Sequence, residues 1–203
     1  MRGREHATMK TGTLKTLLAA LMLGAPALSQ AAELSEPLIL VAKPELRAGA
    51  YASTVLVVKP VGGDRHVGFI VNRPTGVTVR EIFPEHGPSQ KIVEPVYVGG
   101  PLDMDAIFAL VQRRESPGEG SFEVLPGLYA AFAAPTVDRI IESDAERARF
   151  VAGLTAWRPG ELDYEIRQGA WYVLEPDAAL ALRKPEGLWE ELVQRSAIRD
   201  NAI

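Results

Sequence analysis

The chain contains no cysteine. A disulfide framework is therefore excluded, as is the usual lipid attachment to a cysteine that follows a leader; the absence fits an oxidising compartment and the cytosol alike, so it does not set the compartment by itself. Histidine is nearly as scarce. Of the three, His6 lies near the N-terminus, while His66 and His86 have no second histidine or carboxylate at ligand spacing and no H-E-x-x-H around them, so neither a metal nor any cofactor is expected. No Walker loop, no G-x-G-x-x-G and no G-x-S-x-G is present, which leaves nucleotide binding and a nucleophile elbow at Ser53, Thr54 or Thr155 without specific support. A membrane-spanning run is missing too: the apolar stretch Leu17 to Leu28 is about a dozen residues, against the roughly 20 that a spanning helix needs.

That stretch has the setting of an export signal instead. Arg2, Arg4, Lys10 and Lys15 precede it, and Ser29 and Ala31 follow in an S-x-A pattern, so residues 1–31 are expected to be a cleaved secretory leader and 32–203 a single domain, periplasmic and not membrane-spanning once processed. Four basic residues and one acidic residue (Glu5) leave with it, which takes the formal charge from -4 to -7. An acidic chain repels phosphate backbones, so nucleic acid is not an expected partner. The remaining length and ordinary hydrophobic content suit one compact core.

The mature part alternates short apolar runs with turn residues. Leu38 to Ala42, Thr54 to Val58, His66 to Val71, Val96 to Val98, Ile107 to Val111, Phe122 to Leu125, Leu128 to Phe132, Arg149 to Trp157 and Trp171 to Leu174 are expected strands. Gly62-Gly63-Asp64 and Pro126-Gly127 supply hairpin turns. Thr78 can cap a short helix over Val79 to Phe83, Thr136 to Ile141 and Gly160 to Ile166 read as further helices, and Pro176 to Arg195 carries apolar pairs at helical spacing. The unit strand, Arg-Pro, helix occurs twice, at Arg73-Pro74 and Arg158-Pro159, which is compatible with a two-fold internal duplication.

Those corners are the sharpest candidates for function. Arg73 and Arg158 each follow a strand, where the adjoining proline fixes the backbone and lets a guanidinium clamp a carboxylate or phosphate, or else pair with a nearby acid such as Glu81 or Glu161. Asn72 and Trp157 stand just before them; asparagine bonds to its own turn, and a tryptophan at a strand end mostly belongs to the core. Gly99-Gly100-Pro101 lets another backbone or a ligand come close, and its amides could form a small anion nest. Glu161, Asp163 and Glu165 form an acidic run in which Glu161 and Glu165 share one helix face; they are candidate acid and base, with complementing the helix N-terminus as the simpler role for Glu161 and Asp163.

The segments Val67 to Gly76, Val96 to Pro101, Val124 to Tyr129 and Ala156 to Leu162, in that order, resemble the conserved blocks of the YqgE/AlgH family, and the likeness runs from Pro37 to about Trp189. The resemblance implies an α+β fold with a mixed, largely antiparallel and barrel-like β-core flanked by short helices; it implies no established reaction. The chain departs from the family pattern at Ala48-Gly49-Ala50-Tyr51, Lys59-Pro60, Leu110-Val111 and Gly153 to Trp157, losing two histidines, and most relatives lack a leader. Two functions stay open. One is a non-catalytic periplasmic binding or regulatory domain that takes a protein, peptide or small-anion ligand at Asn72, Arg73, Gly99, Gly100, Trp157, Arg158 and Glu161. The other is a hydrolase of unrecognised type, with Glu161 or Glu165 and an arginine in a shared cleft.

Overall fold

A computed structural model describes residues 34–46 and 49–200; the expected leader at 1–31 lies outside the described residues. Three strands, β1 (Leu38–Ala42), β2 (Val55–Pro60) and β3 (His66–Ile70), make an antiparallel meander. The β2–β3 hairpin turns at the expected glycines, with Gly62, Gly63 and Asp64 all at positive φ. β1 is buried at every residue, because both faces of this part of the sheet are covered. Ile39, Val41, Val55, Val57 and Phe69 enter one apolar cluster, while Leu38, Leu40, Leu56, Val58 and Ile70 enter another.

The sheet continues through β9 (Ala148–Trp157), β6 (Leu102–Gln112), β8 (Leu128–Ala131) and β7 (Ser121–Leu125), and β10 (Trp171–Leu174) closes the far side on β1. Two short strands stand off this path: β5 (Pro95–Val98) runs parallel to β9, and β4 (Pro74–Thr78) pairs antiparallel with β5. The sheet curls so that its arms meet across the interior. The Phe69 ring lies 5.1 Å from Phe108 and 6.4 Å from Phe122, and Val124, Leu125 and Leu128 join Val55 and Val57 in one core. The fold is thus α+β, a curled and largely antiparallel sheet with, among the described residues, four short helices: α1 (Val79–Ile82), α2 (Ala134–Ser143), α3 (Glu161–Arg167) and α4 (Leu188–Asp200).

Two expectations need correction. Pro74 to Thr78 is a strand rather than the turn into a helix. Proline is tolerated as the first residue of a strand, and Thr75 Oγ1 donates to the Val96 carbonyl at 2.6 Å to tie the strand down. β6 begins five residues before Ile107, and its exposed first half carries no core pattern to read. The tail is helical as expected, a 3-10 turn, Ala178–Leu182, capped by Asp177 and followed by α4. The repeated Arg-Pro unit maps onto β3 and β9, which are antiparallel neighbours, but the first corner opens a strand and the second a helix.

β9 is the pivot, and a glycine sets its geometry. Gly153 sits at φ +74, and the pairing with β6 shifts register between Leu102 and Ile107. Before the bulge Val151 faces the inner core and Phe150 the cluster under α2; after it Leu154 packs on the inner core and Trp157 faces the outer cluster. Gly99 and Gly100 lie against this bulge. A Cβ on Gly99 would stand 2.3 Å from the Gly153 carbonyl oxygen, and one on Gly100 would stand 2.1 Å from the Leu154 carbonyl carbon. Here backbone meets backbone, so no side chain can give way.

Gly100→Ala is therefore expected to destabilise the fold by about 3 kcal/mol or more. Gly76→Ala, with nothing within 4 Å of its added methyl, is expected to change stability by no more than about 0.5 kcal/mol. Urea unfolding of the two variants checks both, and equal midpoints would contradict the backbone-contact account.

Candidate functional site

The two Arg-Pro corners do not meet. His66 is paired with Trp157, so Arg158 stands beside the start of β3 while Arg73 lies beyond its end, which separates the corners by roughly 20 Å of strand. At the first corner the polar groups are spent on the chain itself. Arg73 donates Nη1 to the Ala50 carbonyl at 2.6 Å and Nη2 to the Ala52 carbonyl at 2.8 Å. Asn72 Oδ1 accepts the Val55 N–H at 2.8 Å, and its Nδ2 donates to the Ser53 carbonyl at 2.9 Å. Together they hold the turn before β2, where Ser53 has φ +56. Glu81, an expected partner of Arg73, instead accepts the N–H and hydroxyl of Thr78 at 2.8 and 2.6 Å. Those two bonds hold its carboxyl below the usual carboxylate range.

The glycine pair is likewise internal. Gly99 N–H donates to the Ala152 carbonyl and its own carbonyl accepts the Ile70 N–H, both at 2.7 Å, so Gly99 stitches β3 to β9 rather than opening toward an anion.

At the second corner Trp157 is buried, and its indole N–H donates to Glu165 Oε2 at 3.0 Å; Trp171 donates to the same oxygen at 2.8 Å. Tyr51 packs edge-on against Trp171, with ring centroids 5.8 Å apart. Glu161 Oε2 takes the backbone N–H of Arg158 at 2.8 Å, and Asp64 from the β2–β3 turn takes that of Gly160 at 2.7 Å. The carboxylate expected to pair with the Arg158 guanidinium thus serves its backbone. Glu161 and Glu165 cap and brace the corner.

The structure draws attention elsewhere. A cleft of 1340 Å³ opens between the 3-10 turn Gly87–Lys91 with the entry to β5, the segment from the end of α2 into β9, and the stretch Leu182 to Glu186 before α4. Its cationic lining is Lys91, Arg147, Arg149 and Lys184, set among five acids. Arg149 differs from the other three in being 8% exposed. Its guanidinium donates to the Val71 carbonyl and, at 2.7 Å, to the Arg183 carbonyl, and its carbon lies 4.1 Å from the centre of the Tyr97 ring. Two backbone oxygens and a π-face replace the carboxylate that a buried arginine ordinarily has. Burial pushes the guanidinium below the ordinary arginine range, while Tyr97, Glu94 and Glu186 act to hold it up. Burial likewise raises the Tyr97 phenol, which the arginine offsets in part.

Arg149 was legible in the sequence only as the first residue of an expected strand. The available signal is its spacing from Val151: an arginine two residues before an inward valine shares its face and must be accommodated inside.

Residues 39–200 match the profile of a protein family described as AlgH-like. A UPF0301 protein from Thermobifida fusca is 30% identical over 167 residues, covering 77% of this chain and 84% of its own length. One from Chlorobium luteolum is 27% identical over 160 residues, with coverage of 77% and 82%. Among solved structures, the AlgH protein from Pseudomonas aeruginosa superposes with a TM-score of 0.66 at 22% identity, covering 86% of this chain and 92% of its own. A protein from Corynebacterium diphtheriae superposes at 0.65 and 20%, with coverage of 79% and 86%. The two structures share the fold with this chain.

Truncating Trp157 to alanine removes a buried ring and leaves Glu165 with one indole partner, so Trp157→Ala is expected to destabilise by about 3 to 5 kcal/mol. Arg158→Ala, at an exposed position, is expected to stay within about 0.5 kcal/mol. Thermal and urea unfolding of the pair check this assignment, and a Trp157→Ala protein of native stability would refute it.

Proposed function

This chain belongs to the AlgH-like family, and we propose that it serves as a non-catalytic binding or regulatory domain which holds a ligand carboxylate on Arg149. The observation that carries the reading is a buried guanidinium on the wall of a cleft, held by neutral partners only. Two carbonyls fix its plane and Tyr97 supports one face. The remaining N–H groups are held in a fixed plane, and the burial of the guanidinium itself strengthens a charge-assisted bond to an incoming oxygen. A bidentate carboxylate would supply the counter-charge that the fold leaves out.

The rival hydrolase reading needed Glu161 or Glu165 to share a cleft with an arginine. Arg73 is bound to two carbonyls at the far end of β3, Glu165 is shared by two tryptophans, and Glu161 accepts the backbone N–H of Arg158, which supports the binding reading over its rival. We also place the domain in the periplasm, on the strength of the leader-like residues 1–31. Among the described residues no helix is long and apolar enough to cross a membrane.

Two measurements test the reading. An N-acetylated alanine tripeptide with a free C-terminus, titrated into the mature protein and followed by amide NMR shifts, is expected to bind about tenfold or more tightly than its C-terminal amide, with shifts at Tyr97, Phe150 and Glu186. Equal binding of acid and amide would overturn it. Mass determination of the protein from a periplasmic extract is expected to show a chain that begins at Ala32; an intact leader would contradict export by this route.

A further inference from the structure

The charges around Arg149 narrow the ligand class, and the inference below rests on the carboxylate reading of that residue. A simple polyanion fits the cleft poorly, because acids outnumber cations on its lining and the whole chain carries a net charge of -4. Glu94 and Glu186 line the same cleft from two different segments, one entering β5 and the other preceding α4. Both are exposed, and both act on Arg149 from a distance without an ion pair to it. A ligand bearing only negative charge would meet Arg149 and be repelled by these two. One bearing a cation as well would satisfy all three.

The cleft also has apolar wall. Val93 is 66% exposed there, and Pro95 and Pro185 also line the space. At 1340 Å³ the space is larger than the roughly 300 to 1,000 Å³ that accommodates a drug-sized molecule, so a single amino acid would leave most of it wet. We infer that the cleft takes a short zwitterionic peptide, its free α-carboxylate on Arg149, its ammonium group toward Glu94 and Glu186, and its side chains against Val93 and the flanking prolines.

The test compares four probes on the wild-type mature protein by NMR titration: trialanine with both ends free, its N-acetyl form, its C-terminal amide, and free L-alanine. Trialanine is expected to bind about fivefold more tightly than the N-acetyl form, and the Glu94→Gln, Glu186→Gln double variant is expected to abolish that preference while still binding the N-acetyl form. Equal affinity for the free and acetylated tripeptides would overturn the zwitterion and leave the carboxylate reading standing. Free alanine binding as tightly as trialanine would overturn the peptide in favour of an amino acid. Acid and amide binding alike would sink both proposals. Arg149→Lys, which keeps the charge but not the planar fork, is expected to weaken trialanine binding about tenfold, and unchanged binding would remove Arg149 from the site.

Discussion

The fold depends on a backbone-to-backbone contact among three glycines. Gly99 and Gly100 leave β5 pressed against the bulge at Gly153, and a methyl on any of the three would fall within 2.7 Å of a carbonyl atom. The contact does two things at once. It lets Gly99 bond to both β3 and β9, which joins the short β4–β5 pair to the main sheet. It also leaves room for the bulge that turns β9 over, so that one strand feeds the inner core with Val151 and the outer cluster with Trp157. Without it, side chains on half of β9 would point the wrong way.

Much of this architecture was legible because short apolar runs bounded by turn residues have few other uses. β1 and β10 were readable to the residue, and the hairpins at Gly62-Gly63 and Pro126-Gly127 followed from turn chemistry. β4 was not, because Pro-Thr-Gly is the composition of a turn, and only the later partner strand, which pairs Pro74 with Tyr97 and Thr78 with Pro95, makes it a ladder. The corners show a different limit. An arginine fixed by a proline has the same local sequence whether it grips a ligand or its own chain. The Ala50 and Ala52 carbonyls that decide the matter for Arg73 are placed by a distant turn. The same holds for Arg149, whose partners at Val71 and Arg183 are 78 and 34 residues away.

The unusual element is a buried charge with no carboxylate beside it. Desolvating a guanidinium is expensive, and carbonyl dipoles with a π-face recover only part of what a formal counter-ion would supply. A fold selected for stability alone would place a methionine or leucine there. Keeping arginine leaves a guanidinium whose nearest acids, Glu94 and Glu186, act only from a distance, and the carboxylate proposed above would supply a close partner. This links the energetics of the core to the proposed ligand more directly than any surface feature does.

The carbonyl of Arg183 that grips Arg149 belongs to the last stretch of the chain, which is pinned by α4. Trp189 donates its indole N–H to the Ala42 carbonyl at 2.7 Å, and Leu188 and Leu192 are buried in the inner core. One of the two carbonyls that hold Arg149, and one wall of the cleft, thus come from the segment that leads into α4. The docking of α4 on β1 is what holds that carbonyl in place. The plane of the guanidinium is therefore coupled to a helix docked on the far side of the sheet, and loosening that helix would free one edge of Arg149 without any change in the cleft lining itself.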